Sequence, residues 1–412
     1  MIIVDTELQK LADAGTPLRV GIIGAGTMVR GIANQIINYT PGMRLAAILN
    51  RTPERAIGVF REAGLDDAVL TDKQSEFDDA IRSGRGAVTQ DVDVLCGSDQ
   101  IDVLLEATGH VDFGAIVTMK AIEAGKDIVL LNAEVDGTIG PLLKTKADKA
   151  GTLVSGCDGD QPAVQMNLYR FVKALGLRPL VCGNIKGMQD RYRTPETQAG
   201  FAKQWNMTPE MVTSFADGTK ISFEQALVAN ATGMKVAQRG MIGIEHDGHI
   251  DEITGSYDID QLRELGGIVD YALGSKPGPG VYVFAEAADE TQAFYLKYGK
   301  LGDGPLYSFY IPYHLMVFEV VNSLARLALL KDVPIAPIAG QVVDVVTAAK
   351  RDLKAGETID GLGGFMTYGL CENSDIVTRD KLLVMGIAED CRLKRDVPKD
   401  QVLTVDDVDL PM

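Results

Sequence analysis

The sequence has few of the residues on which secreted, membrane-bound and nucleic-acid-binding proteins depend. Its 412 residues include 5 cysteines, 4 histidines and 1 tryptophan, and 57 acidic residues against 40 basic ones give a formal charge of -17. A net negative surface disfavours general binding to nucleic acid or to anionic membranes. The cysteines are odd in number, widely spaced and without a CxxC pair, so we expect reduced thiols rather than disulfides or a thiolate zinc site.

Long apolar runs are also missing. No window reaches about 18 uninterrupted apolar residues, and the N-terminus lacks a basic segment followed by an apolar core. We therefore expect a cytoplasmic protein that is neither exported nor inserted into a membrane. The 46% of hydrophobic residues can form at least one large core, and the length is typical of two or three domains.

Between Leu18 and Leu153, short β-rich apolar runs alternate with helical patterns. This alternation is typical of βαβ units around a parallel sheet. It predicts an α/β fold in which residues 1–156 form a Rossmann-type, doubly wound nucleotide-binding domain with an N-terminal helix. The mixed pattern that follows predicts an α+β substrate domain over residues 157–333, and a proline-rich linker then leads to a small β domain over residues 334–412.

The segment VGIIGAGTMVRG places glycines between a predicted strand and a predicted helix. Gly24 permits a tight turn, and Gly26 lets the backbone approach a pyrophosphate at the helix N-terminus. We predict that Gly24, Gly26, Thr27 and Met28 bind the cofactor. Val29 occupies the position of the third small residue in this fingerprint, so the pattern is incomplete. The alternative is a glycine turn that binds nothing.

The segment ILNRTPERA, at the end of the second predicted strand, lacks the acidic residue that binds the ribose diol of NAD. Asn50, Arg51 and Thr52 offer an amide, a guanidinium and a hydroxyl, all of which suit the additional phosphate of NADP. The sequence therefore predicts NADPH as the cofactor. The alternative is that Arg51 is only a solvated loop residue.

Two later strand ends carry further polar residues. Thr108 and Gly109 follow one predicted strand, and Asn132 and Glu134 follow the next. Because ligands of such sheets bind outside the carboxyl ends of the strands, we predict that all four contribute to the cofactor site. Glu134 is equally well explained as a carboxylate at a helix start.

The middle region concentrates charged and amide side chains next to glycines. We predict catalytic roles for Lys186, Lys220, Asp190 and His314. The two lysines would polarise a carbonyl or steady an enediolate, the aspartate would act as an acid or base, and the histidine would act as a general acid. Charge-assisted hydrogen bonds to a phosphate or carboxylate predict a substrate-binding set: Asn184, Arg191, Arg193, Asn230, Lys235 and Glu319.

Several of these residues have structural alternatives. Charged loop residues are often only solvated, and His314 begins an apolar helix on which a histidine can simply be a core residue. Asn230 lies on an apolar helix face and needs a partner, of which a ligand is one possibility. His246 and His249 favour a surface turn over a metal pair. Asp158 and Asp160 suit either a divalent metal or an ordinary turn, so a metal is left open.

The first domain resembles the homoserine dehydrogenase-like superfamily in VGIIGAG, LLEATG, AIEAGKDIVLLNAE and GCDGDQPAV, although Asn132, Ala133 and Glu134 replace its Ala-Asn-Lys. The whole chain resembles the deoxyxylulose-phosphate-reductoisomerase-like proteins in MIIVDT, GNIKGMQDRYRTPETQAGF, SFADGTKISFEQALVANATGMKVAQRGM and KRDLKAGETIDG. This resemblance implies an NADPH-dependent reductoisomerase that converts deoxyxylulose phosphate to methylerythritol phosphate in isoprenoid precursor synthesis. It also implies that the C-terminal β domain is a β-clip of the SAF type.

We therefore expect an NADPH-dependent oxidoreductase that acts on a CH–OH group of a small, phosphorylated substrate and forms a homo-oligomer. We expect no nucleic-acid or membrane partner. One alternative is an NAD(P)-dependent dehydrogenase or oxidoisomerase of homoserine or of a branched sugar acid such as apionate. Another is a non-catalytic protein that senses a nucleotide or a sugar.

Overall fold

A computed structural model describes residues 4–411, so the first three residues of the predicted first domain and the last residue of the third lie outside it. The described chain forms two compact units. The first comprises the described residues up to Asp160 together with Leu315–Ala336, and the second comprises Gln161–His314 and the described residues from Pro337 onward. The predicted boundaries lie close to two of these breaks. The division into three domains stays a prediction, and the sequence does not predict that Leu315–Ala336 returns to the first unit.

The helices follow one another in chain order. The α-helices of the described residues are α1 (Val4–Ala14), α2 (Thr27–Tyr39), α3 (Pro53–Glu62), α4 (Gln74–Arg82), α5 (Val92–Gly97), α6 (Val111–Glu123), α7 (Ala133–Ala150), α8 (Gln161–Ala174), α9 (Pro195–Trp205), α10 (Pro209–Ala216), α11 (Thr219–Thr232), α12 (Ile259–Leu265), α13 (Glu290–Tyr298), α14 (Met316–Ala325) and α15 (Ser374–Asp380). Short 3-10 helices cover Ile250–Ser256, Met385–Ile387 and Val405–Asp407, and a π-helical turn, Arg326–Leu330, extends α14.

The strands are distributed along almost the whole chain. They are β1 (Leu18–Ile23), β2 (Met43–Leu49), β3 (Val69–Leu70), β4 (Ala87–Thr89), β5 (Val103–Glu106), β6 (Asp127–Leu130), β7 (Val154–Gly156), β8 (Arg178–Lys186), β9 (Ile244–Glu245), β10 (Ile268–Leu273), β11 (Gly280–Glu286), β12 (Leu306–Ile311), β13 (Val343–Ala349), β14 (Thr367–Asn373), β15 (Arg392–Leu393) and β16 (Val408–Asp409).

The first unit is built around a seven-stranded sheet in the order β3-β4-β2-β1-β5-β6-β7. Each neighbouring pair is parallel. Apolar cores lie on both faces of the sheet, which is why strands such as β5 are buried throughout. The strand order reverses at β1, whose neighbours are β2 and β5. This arrangement confirms the predicted α/β fold with a Rossmann-like parallel sheet, and α1 is the predicted N-terminal helix.

Helix α14 completes the first unit from a distant part of the sequence. Val320 and Leu324 share an apolar core with Val29 of α2, and all three are fully buried. A Cβ added to Gly31 would lie 2.8 Å from Val317 Cγ1, so this glycine lets α2 and α14 approach closely. The fingerprint position occupied by Val29 is therefore a core position, and the small residue that this packing needs comes two residues later.

The second unit contains a five-stranded mixed sheet in the order β12-β11-β8-β10-β9. β8 is parallel to β10 and antiparallel to β11. Helices α8 and α11 contact this sheet, and nearly all of α11 is buried although it carries Ser222, Glu224, Gln225 and Asn230. Buried polar groups need partners, so α11 connects elements by hydrogen bonds as well as by apolar packing.

The C-terminal part of the second unit consists of two small antiparallel sheets, β13 with β14 and β15 with β16. Lys350, buried just after β13, donates to the Asp217 carboxylate at 2.9 Å and to the carbonyl oxygens of Arg193 and Gly364 at 2.8 and 2.7 Å. These bonds tie the C-terminal part to the remainder of the unit. Its assignment as a β-clip of the SAF type stays a prediction.

The five cysteines are buried and do not form disulfides. Over residues 4–411, the helices are all too short or too polar to cross a membrane.

Candidate active site

The glycine turn between β1 and α2 has the geometry that a dinucleotide needs. Gly24 has a φ of +116°, and a Cβ there would lie 2.8 Å from the carbonyl oxygen of Ala107. Gly26 is the N-cap residue of α2 and has no side-chain cap, and apart from its two chain neighbours no atom of the described residues lies within 4 Å of the place where its Cβ would be. Gly24 therefore makes the turn possible, and Gly26 leaves space for a pyrophosphate beside the start of α2. Thr27 and Met28 form the first turn of this helix.

The loop after β2 places the three predicted cofactor-choice residues in one tight turn. Asn50 Oδ1 accepts a hydrogen bond of 2.8 Å from the backbone N–H of Thr52. Thr52 is the residue before α3 but its hydroxyl does not cap that helix. Arg51 is exposed, and within residues 4–411 its guanidinium has no hydrogen-bond or ion-pair partner. A cationic side chain without a partner therefore stands where NAD-binding proteins carry an acid.

Buried polar groups follow β5 and β6. The carboxyl of Glu106, at the end of β5, accepts hydrogen bonds from the hydroxyl of Thr108 and, at 2.8 Å, from its backbone N–H. The other oxygen of Glu106 is buried without a partner among the described residues, and burial raises the pKa of this carboxyl. Asn132 Oδ1 caps α7 by accepting from Val135 N at 3.2 Å. Gly109 takes a φ of +72°, and Glu134 lies buried in the first turn of α7.

Asp136, also in the first turn of α7, is a buried carboxyl that sequence reasoning missed. Over residues 4–411 its carboxyl has no hydrogen-bond partner, and burial raises its pKa to about 7. An apolar environment disfavours the charged form of a carboxyl, so this group changes its charge near neutral pH. The sequence signal was weak because an acid in a first helical turn is common.

Asp158 lies in a turn before α8, as one of its two alternatives predicts, and its side chain has a structural role. It is fully buried, and its carboxylate pairs with Arg326 at 3.0 Å and accepts from the Ser323 hydroxyl at 2.9 Å. Asp160 is also buried. Glu319, predicted to bind substrate, accepts a hydrogen bond from Leu315 N at 2.8 Å and so supports the start of α14. Within the described residues, no group of three or more potential ligands is placed to hold a metal ion.

The second unit brings Lys186 and Asn184 together at the end of β8. Lys186 Nζ donates to Gln161 Oε1 of α8 and, at 3.1 Å, to Glu224 Oε2 of α11. Asn184 Nδ2 donates to the same two oxygens, at 3.2 Å and 2.7 Å, while Gln165 donates to Asn184 Oδ1. We call these five residues the Lys186 cluster.

The Lys186 cluster keeps its lysine at the edge of solvent. The Lys186 side chain is 21% exposed, whereas that of Glu224 is 5% exposed. An ammonium group has three hydrogens, and the two acceptors described above take two of them. The third is available to an oxygen atom of a ligand. Sequence reasoning found the lysine and the asparagine, but it missed the roles of Gln161 and Gln165 because an amide side chain on a helix carries no sign of its partner on another element.

Asp190, Arg191 and Arg193 form a separate group. Asp190 pairs with Arg193 at 3.1 Å and accepts from Tyr192 N at the same distance. The Arg191 guanidinium lies 5.8 Å from the centre of the Tyr368 ring, which is within cation–π range. The positive charge of Arg193 therefore lies beside the Asp190 carboxylate. The role of Asp190 as an acid or base stays a prediction.

The other predicted residues of the second unit are dispersed. Lys220 lies one helical turn before Glu224 on α11, so helical spacing places it on the same face as Glu224. Asn230 points inward as predicted, but its amide bonds the backbone of β13: it donates to Val343 O at 3.2 Å and accepts from Val342 N and Val343 N. Lys235 is exposed. A fold-stabilising role thus accounts for Asn230, whereas the predicted ligand contact is untested.

The three histidines considered above lie in two separate parts of the second unit. His314 is partly buried at the end of the first segment of the second unit. His246 pairs with Glu252 at 2.9 Å, and His249 pairs with Asp251 at 3.2 Å. Each of the latter two has its own acid, which agrees with a surface turn.

A comparison with protein-family models matches residues 159–320 to the catalytic domain of oxidoreductase DRL. A search of curated proteins finds no match. Among solved structures, the chain is similar to myo-inositol dehydrogenase from Lactobacillus casei in complex with NAD(H) and myo-inositol, with 12% identity, a TM-score of 0.45, and coverage of 78% of this chain and 89% of that one.

Two further solved structures give similar values. Scyllo-inositol dehydrogenase from Lactobacillus casei, with bound NAD(H) and scyllo-inositol, has 13% identity, a TM-score of 0.43, and coverage of 79% of this chain and 93% of that one. A 3-ketoreductase from Actinomadura kijaniata, in complex with NADP, has 14% identity, a TM-score of 0.39, and coverage of 77% of this chain and 91% of that one.

These findings confirm the predicted class of enzyme, an oxidoreductase, since residues 159–320 match the catalytic domain of an oxidoreductase. They correct the predicted family and reaction. The family model that matches is that of oxidoreductase DRL, rather than that of deoxyxylulose-phosphate reductoisomerases or homoserine dehydrogenases. The predicted conversion of deoxyxylulose phosphate in isoprenoid synthesis is therefore wrong.

Proposed function

We propose that the protein is a dehydrogenase or ketoreductase of a small polyhydroxylated substrate and that it prefers NADP(H) to NAD(H). The observation that carries the cofactor preference is the exposed, unpartnered Arg51 at the end of β2, in a turn without the acid that NAD requires. A guanidinium can bind a phosphate through two parallel hydrogen bonds, and binding costs little desolvation at an exposed position.

The residues present in the first unit fit a nicotinamide dinucleotide. The open space at Gly26 and the start of α2 suit the pyrophosphate. Thr108 and Asn132, which follow β5 and β6, suit the nicotinamide half of the cofactor because they lie at the carboxyl ends of adjacent strands. The bound cofactor would supply or accept a hydride.

We further propose that the Lys186 cluster binds the oxygen of the reacting CH–OH or carbonyl group. The ammonium of Lys186, held by Gln161 and Glu224, has one hydrogen for this oxygen. As a carbonyl is reduced, negative charge develops on its oxygen, and a fixed positive charge stabilises it. Lys186 can then donate a proton to that oxygen; in the oxidation direction, the neutral amine would accept the proton.

A substrate screen tests these proposals. Oxidation of NADPH and of NADH would be followed with a panel of ketoses, inosose-type cyclic ketones and branched sugar acids, each with and without a phosphate group. We expect multiple turnovers and a higher kcat/KM with NADPH than with NADH for at least one substrate. Equal efficiency with both cofactors, or a preference for NADH, would contradict the cofactor assignment, and the phosphorylated members of the panel test whether the substrate carries phosphate.

A further inference from the structure

The backbone next to Arg51 is fixed by hydrogen bonds, although the guanidinium of Arg51 has no partner among the described residues. Gln90, which follows β4, donates from Nε2 to the carbonyl oxygen of Arg51 at 2.8 Å. On the other side of this peptide, Thr52 N donates to Asn50 Oδ1 at 2.8 Å. Both polar groups of the peptide bond between Arg51 and Thr52 are therefore hydrogen-bonded, whereas the guanidinium of Arg51 is not.

Gln90 is itself anchored to a buried point of the sheet. Its backbone N–H donates to Asp72 Oδ1 at 2.9 Å, and the same oxygen accepts the hydroxyl of Thr89 at 2.7 Å. Thr89 is the last residue of β4 and is fully buried, and its carbonyl oxygen accepts Asn50 N at 3.1 Å. These hydrogen bonds connect the ends of β2 and β4, so the Arg51 turn is fixed to the sheet from both sides.

We propose that Gln90 is a positioning residue for cofactor choice, which holds the Arg51 turn so that the guanidinium is presented to the phosphate that distinguishes NADP from NAD. The inference rests on the proposed preference for NADP(H). An arginine on a mobile loop loses both backbone and side-chain conformational entropy on binding. In a preformed turn the backbone is already ordered, so only the side-chain entropy is lost. Gln90 contributes to affinity only through Arg51, so its effect requires both the arginine and the phosphate.

The test is a double-mutant cycle read by binding rather than by turnover. Dissociation constants for NADPH and NADH would be measured by cofactor fluorescence for the full-length wild-type protein, Gln90→Ala, Arg51→Ala and the double variant. Gln90→Asn keeps the amide but shortens its reach. Gln9→Ala is a matched control, since Gln9 is exposed and donates only to Asp13 of the same helix. Thermal melting would establish that each variant is folded.

We expect Gln90→Ala and Gln90→Asn each to raise the Kd for NADPH about fivefold, which is the effect of one net hydrogen bond, and to leave the Kd for NADH unchanged. The control variant Gln9→Ala should change neither Kd. In the Arg51→Ala background, Gln90→Ala should have no further effect on either Kd.

Other outcomes separate two kinds of failure. If Arg51→Ala leaves the ratio of the two Kd values unchanged, the proposed cofactor preference is wrong and the role of Gln90 fails with it. If Arg51→Ala lowers the preference but Gln90→Ala acts equally on NADPH and NADH, or acts additively with Arg51→Ala, the cofactor preference stands and the positioning role of Gln90 is overturned.

Discussion

The candidate sites of the two units consist of different kinds of groups. In the first unit, the groups that would meet the cofactor are backbone turns and single side chains at the ends of neighbouring parallel strands, as at Gly26 and Arg51. In the second unit, the Lys186 cluster combines side chains from β8, α8 and α11. A backbone site depends on a short stretch of sequence, whereas a side-chain cluster depends on how separate elements pack.

The largest expected effect comes from the Asp158–Arg326 ion pair. This pair joins side chains that are far apart in the sequence of the first unit, so it tests whether that unit also depends on the packing of separate elements. Arg326→Met leaves the buried Asp158 carboxylate without its cation, and we expect a loss of about 3–5 kcal/mol in the free energy of unfolding, measured by urea denaturation. Arg61→Ala is the matched control, since the Arg61–Asp66 pair is 3.6 Å apart and its side chains are 68% and 81% exposed. We expect less than about 1 kcal/mol there. Equal losses in both variants would contradict the importance of the buried pair.

Lys186→Ala tests whether the side-chain cluster performs chemistry. We expect kcat to fall at least about a hundredfold, because a preorganised charge at the reacting oxygen is removed, while the Kd for NADPH stays the same. Lys203→Ala, an exposed lysine on α9, should leave both unchanged. Unchanged turnover in Lys186→Ala would remove the second unit's cluster from the proposed mechanism.

Asp136 gives the first unit a pH dependence that a backbone site alone would not have. Its pKa is raised to about 7 from an ordinary value of 3.8. The stability associated with the neutral carboxyl is fully present below the unfolded pKa, and it is lost as the pH rises toward 7, where the unfolded chain has already released its proton. Asp136→Asn cannot titrate, so we expect it to gain stability relative to wild type by up to about 1.4 kcal/mol per pH unit between about pH 4 and 7. Parallel stability curves for the two proteins across this range would refute the raised pKa.

Of these four substitutions, Arg51→Ala has the smallest expected effect. It tests most directly whether a single side chain at a strand end of the first unit determines the choice of cofactor. We expect the preference for NADPH over NADH, measured as the ratio of kcat/KM values, to fall about tenfold, which is the lower range for a hydrogen bond to a charged group. Arg85→Ala, an exposed arginine outside the proposed site, is the control. A ratio that does not change would mean that the first unit's cofactor choice does not lie in this turn.

The features that sequence predicts are those encoded in short stretches. The alternation of strands and helices predicted the parallel sheet, and the spacing of Gly24 and Gly26 predicted the turn that the structure confirms. The incomplete fingerprint at Val29 was misleading, because the small residue that α2 needs for packing is Gly31, and its partner Val317 lies on a helix far along the chain.

Longer-range relations could not be derived in this way. The spacing on α11 correctly predicted that Asn230 points inward, but not that its partners are the backbone groups of Val342 and Val343. Gln161 was missed for the same reason: a single amide at a helix start carries no sign of a lysine on another element. The family resemblance did not remedy this, since the comparisons corrected the reaction that it implied.

The return of Leu315–Ala336 to the first unit has a consequence for the order of events on the ribosome. Domains generally fold as units while the chain is being made, but this unit lacks α14 and the cation for Asp158 until synthesis has passed Ala336. The first unit is therefore the first to be translated, but we expect that it is not the first to mature. We expect nascent chains stalled before residue 315 to remain sensitive to protease within their first 160 residues, and to become resistant once the segment to Ala336 has emerged.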